Sequence, residues 1–156
     1  MNDMKTIYQA EGKLCKDFIG QISYTVCLDQ PWKELDIEFS FSPRHFQPGD
    51  VTDELKQQLL DYCKREYGIT PSSEEELEHA LYHEMKTEIH TLATLNDEFI
   101  GCIHRQLTTR HMHFTQDDAT EGCIPQPSIK GVLKVTILVF SVLLDNTEYT
   151  LTVRVR

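Results

Sequence analysis

A chain of 156 residues, 40% of them hydrophobic and 26% charged, is long enough to bury roughly 70% of the surface its unfolded form exposes, and the composition excludes disordered, collagen-like and coiled-coil classes. Twenty-five acids against fifteen bases give a formal charge of −10. With no Lys/Arg-rich run, neither nucleic acid nor an anionic membrane is an expected partner.

The first alternating run is Gln21 to Leu28, with Ile22, Tyr24, Val26 and Leu28 on one side and Gln21, Ser23, Thr25 and Cys27 on the other, the pattern of a half-buried strand. After Asp29-Gln30-Pro31-Trp32 the alternation resumes, with Leu35, Ile37, Phe39 and Phe41 opposing Glu34, Asp36, Glu38 and Ser40. The simplest pairing of these two runs is an antiparallel hairpin. Thr52 then caps a predicted helix whose apolar positions are Leu55, Leu59, Tyr62 and Cys63 and which stops at Gly68. Ser73-Glu74-Glu75-Glu76 has the form of a capping box and opens a second helix with an inner stripe of Leu77, Ala80, Leu81 and Met85.

Threonines at 87, 91 and 94 favour extended chain from there on, so two strands are predicted, Ile89 to Leu95 and Glu98 to Gln106, turning at Asn96-Asp97. A short strand covers Arg110 to Phe114, and Asp117 to Ser128, with Gly122, Pro125 and Pro127, reads as a loop. Val135 to Leu144 is apolar on both faces, as a central strand is, and Asp145-Asn146-Thr147 turns it into an alternating strand from Tyr149 to Val155. That C-terminal hairpin leaves its last strand at a sheet edge, a route to a homodimer. The order is α+β: an antiparallel β-sheet of about six to seven strands with two consecutive helices inserted between an N-terminal and a C-terminal strand group, in one domain over 1–156. Val132 to Leu144 carries Lys134 and is shorter than a bilayer span.

The five cysteines, Cys15, Cys27, Cys63, Cys102 and Cys123, are odd in number and hold no C-x-x-C pair. No disulfide framework is expected, and the N-terminal residues lack the apolar run of a secretory signal, which points to the cytoplasm. Cys123 lies beside Asp117, Asp118 and Glu121, charges that oppose formation of a reactive thiolate.

Among polar residues the seven histidines stand out. His79 and His83 are one helical turn apart, and His111 and His113 share a strand face, spacings at which two imidazoles can hold a divalent metal such as zinc. His104 completes the candidate set if the fold brings it near. The ordinary account of the same pairs is a solvated helix flank and a solvent-facing strand. The acids Glu74, Glu75, Glu76, Glu78, Glu84 and Glu88 form a negative surface suited to steering a basic protein partner. Phosphate-loop, dinucleotide and G-x-S-x-G signatures are absent from the sequence. The expectation is a small cytoplasmic binding or interaction protein without catalytic activity or cofactor, taking a protein partner or small ligand. The alternative is a metal-dependent hydrolase using the histidine cluster.

Overall fold

The computed structural model describes residues 3–104 and 107–156. Eight strands, β1 (Lys5–Leu14), β2 (Gly20–Trp32), β3 (Glu34–Ser42), β4 (Glu88–Leu95), β5 (Glu98–Ile103), β6 (Thr109–Thr115), β7 (Ile129–Ser141) and β8 (Thr147–Val155), form two four-stranded sheets. The orders are β1-β8-β3-β6 and β2-β7-β4-β5, and every pairing is antiparallel. Between β3 and β4 lie two helices, α1 (Asp53–Tyr67) and α2 (Glu74–His79), the latter running on as a π-helical turn over Ala80–Glu84. The α+β order expected from the sequence is therefore present, with the strands divided between two sheets.

That division corrects two pairings. The alternating runs in β2 and β3 do not form a hairpin, and neither do β7 and β8, because each pair is split between the sheets. Alternation says that a strand has one apolar face; it does not say whether the next strand lies beside it or across the core from it. Here the inward faces, with Leu35, Ile37 and Phe39 on one sheet and Leu133, Val135 and Ile137 on the other, meet in one buried cluster. Each such side chain contributes about 1.5–3 kcal/mol by leaving water.

A second consequence concerns β8. It lies between β1 and β3 rather than at an edge, so the C-terminal strand has no free side for a second chain. The strand that displaces it from the edge, β1, has a weak sequence signal: its inward positions include Ala10 and Gly12, and its register with β8 slips between Thr6 and Tyr8. Gly12 is small for a reason, since a Cβ there would run into the Tyr149 ring.

Local signals were more faithful. Thr52 accepts the Leu55 amide proton at 3.1 Å, and Gly68 closes α1 at φ 65. Ser73 accepts from the Glu76 amide, but the Glu76 carboxylate turns to Ser72 rather than completing the box. Asn96 and Asp97 both have positive φ, which suits the tight turn from β4 to β5. The predicted strand Glu98 to Gln106 is a strand over Glu98–Ile103, and Arg105 and Gln106 lie outside the described residues. No helix among the described residues is long and apolar enough to cross a membrane.

Candidate functional site

The site begins with an unusual helix. Thr52 and Gly68 fix the ends of α1, yet none of its fifteen residues is fully buried. Leu55, Leu59 and Tyr62, one helical face by their spacing, border an open groove of about 610 Å³ whose floor includes Phe46, Met85 and Leu143. A smaller extension of about 450 Å³ continues it past Asp50, Glu54 and Asp145.

Buried polar contacts pin the floor. Thr87, 2% exposed, donates its backbone N–H to the Arg44 carbonyl at 2.8 Å, and its hydroxyl accepts the Leu143 N–H at 3.1 Å. The His45 ring contacts the Met85 carbonyl at 3.0 Å. Leu77 and Leu81, the buried side chains of the α2 segment, pack with Phe46 and Leu143 beneath. Over this floor α1 is held by half-buried apolar contacts from Leu55, Leu59 and Leu60 and by the ion pairs of Lys56 with the α2 segment.

Charge around the groove is uneven. Among the described residues Asp17, Asp50, Glu54, Asp61 and Asp145 line it, with Lys16 and Arg65 as the bases. The acids of α2 continue the negative surface, where Lys56 bridges Glu74 at 2.7 Å and Glu78 at 3.4 Å. The groove is apolar inside and acidic at its margin.

The five candidate metal ligands fall in three places. His79 and His83 stack at 4.9 Å between ring centres on the α2 segment, with Glu84 3.9 Å from His79. His104 lies 5.8 Å from the ring of His90, which packs on Phe140 and contacts Glu88. His111 and His113 lie on the outer face of the first sheet, committed to carboxylates of β3: His111 to Asp36 and Glu38, each at 3.1 Å, and His113 to Glu34 at 2.5 Å. Arg154 of β8 and Arg156 just beyond it flank the same acids from the other side. Among the described residues no group of three or more His, Cys, Asp or Glu is placed to hold a metal ion.

A model of one protein family matches residues 4–156, nearly the whole chain. The chain belongs to the family of unknown function DUF6669. No curated protein and no solved structure matches it.

In this DUF6669 chain the loop around Cys123 is a seal. The Cys102 N–H donates to Gly122 O at 3.1 Å and the Ile124 N–H to Ile100 O at 2.8 Å, so the loop runs along the free side of β5. The Cys123 thiol is pushed up to about 11, first by burial and then by Cys102; the nearby acids that the sequence suggested are not the cause.

Two features of the structure are not announced by the sequence. Leu55, Leu59 and Tyr62 are the apolar positions of the predicted helix, and helical spacing marks such a stripe without saying how fully it is covered. Arg110 shares its strand face with Met112 and Phe114, and that alternation is the one cue to its burial. It is 4% exposed, lies 5.5 and 5.7 Å from the centres of the Phe39 and Phe41 rings, and donates to the carbonyls of Ile103 and Ile89. Burial pulls its pKa down to about 10.

Proposed function

We propose that this protein is a non-catalytic, cytoplasmic binding protein whose α1 groove takes a short apolar segment of a protein partner flanked by lysine or arginine. The observation that carries this reading is the groove itself: a helix with no fully buried residue stands over an apolar floor of Phe46, Met85 and Leu143, inside an acidic margin. Apolar anchors of a partner helix or extended segment would gain about 25 cal/mol per Å² of surface removed from water. The margin acids would attract flanking bases and speed encounter, an effect that added salt weakens. The five free thiols are consistent with a reducing compartment.

Fluorescence anisotropy with labelled synthetic peptides tests it. Peptides carrying leucine and phenylalanine anchors between lysines should bind at least about tenfold more tightly than the same anchors between glutamates, a difference of about 1.4 kcal/mol. Leu59→Glu should abolish the binding. Equal affinity for the two peptide sets, or full affinity in Leu59→Glu, would overturn the reading.

A further inference from the structure

A two-sheet fold has four edge strands, here β1, β6, β2 and β5. Exposed edges are templates for pairing with another chain unless something covers or charges them. Three of the four are managed. The 115–126 segment lies along β6, where Thr120 N–H donates to His113 O at 3.0 Å, and along β5 through Gly122 and Ile124. β1 carries Lys5, Glu11 and Lys13 and a slipped register near Ile7.

β2 has none of these devices over its first nine residues. From Gly20 to Leu28 it pairs with β7 without a register break and contains neither a charged side chain nor a proline; Asp29, Pro31 and the irregularity before Trp32 come only afterwards. Among the described residues no other strand pairs with it. An uncharged, regular, unpaired edge on a chain of net charge −10 is the place where two copies can approach with least repulsion.

We propose that two copies of this chain pair antiparallel through β2, joining their second sheets into one eight-stranded sheet. The sequence of the edge selects the register. A two-fold axis at Tyr24 opposes the whole uncharged stretch to itself, Gly20 to Leu28, and sets inward side chains opposite inward ones and outward opposite outward. Ile22 meets Val26 on the inward side; Gln21 meets Cys27 and Ser23 meets Thr25 on the outward side. In that register Asp29 falls opposite Ile19, and the two Asp29 carboxylates stand about 33 Å apart along the strands, several screening lengths in physiological salt. Closed two-fold pairing also uses up both free edges, so the assembly stops at two.

Sedimentation velocity and cysteine cross-linking test the state and the register together. The wild-type chain should sediment at twice its 18.1 kDa mass at micromolar concentration. Gln21→Cys, made in a Cys15→Ser background, should form a disulfide dimer with Cys27 of the second copy under mild oxidation, because directly opposed Cβ atoms lie about 4.5–5.5 Å apart. Ser23→Cys, opposite Thr25, should cross-link far less. Within one chain the introduced thiol and Cys27 would be about 20 Å apart and could not bridge internally. The double variant Ser23→Lys/Thr25→Lys places lysines against lysines and should be monomeric with an unchanged far-ultraviolet spectrum. A wild-type chain that stays at one chain mass, a lysine variant that still dimerises, or equal cross-linking of the two cysteine variants would each overturn the proposal.

Discussion

The hydroxyls of Tyr24 and Tyr149 lie 2.6 Å apart, a hydrogen bond from β2 of one sheet to β8 of the other. Tyr24 also tilts against the Tyr8 ring at 6.1 Å between centres. These contacts tie the open end of the sandwich, opposite the end sealed by the 115–126 loop. Tyr24→Phe keeps the ring and removes one hydroxyl, leaving the Tyr149 oxygen without that partner, and should cost about 1 kcal/mol in urea denaturation at neutral pH. Burial, then the Tyr149 bond, push the Tyr24 pKa up to about 12. A raised folded-state pKa gives stability that is complete below the ordinary tyrosine value of about 10 and lost as pH rises through the folded value. The wild-type advantage over Tyr24→Phe should therefore shrink above pH 10, and an advantage constant into strong alkali would contradict this assignment.

Acid should act on the other face. Glu34 is held below the ordinary glutamate range chiefly by its hydrogen bond to His113, which with Arg156 outweighs the opposing effect of burial. A depressed folded-state pKa gives stability that is complete above the ordinary value of about 4.3 and lost as pH falls through the folded value. Glu34→Gln should destabilise by about 1–3 kcal/mol at neutral pH, and the difference should vanish in strong acid. Urea titrations of both proteins at several pH values check it; a gap that persists unchanged below about pH 3 would locate the effect elsewhere.

Much of this fold was legible locally. Thr52, Gly68 and Ser73 act through their own nearest backbone groups, and Asn96-Asp97 is a turn wherever it occurs, so short-range chemistry decided those positions. Partner choice was not legible. β2 and β3 carry clean alternation, as do neighbours in one sheet, but the same pattern serves strands facing each other across a core. Gly131 shows what is lost at long range: its φ is 114 and a Cβ there would collide with the Asn96 side-chain amide, because Asn96 bonds to Lys130 O and Val132 N across the sheet. Nothing in the local sequence around Gly131 announces that contact. The groove was hidden likewise, since the exposure of Leu55, Leu59 and Tyr62 depends on how far α1 sits from Phe46 and Leu143.

Thiol reactivity should follow burial rather than position in a loop. Cys15 and Cys27 are exposed, whereas Cys102 and Cys123 are partly covered and burial raises both of the latter thiols. Because the thiolate is the reacting species, brief treatment with iodoacetamide at neutral pH should modify Cys15 and Cys27 first. Peptide mass mapping reads the order. Early labelling of Cys123 would show a thiolate that its surroundings do not account for.

The groove floor depends on one threonine. Thr87 joins the Arg44 and Leu143 segments through its backbone N–H and its hydroxyl, and both segments carry floor residues, Phe46 next but one to Arg44 and Leu143 itself. Thr87→Val preserves shape and extended-chain preference while leaving the buried Leu143 N–H without its acceptor, a loss of about 1–3 kcal/mol. Thr87→Ser keeps the acceptor and should recover most of that stability. If the floor positions the anchors of a bound segment, Thr87→Val should also weaken the lysine-flanked peptides while Thr87→Ser binds them nearly as wild type. Loss of stability with full peptide affinity would assign Thr87 to folding alone and leave the groove to be held by Leu77 and Leu81 from below.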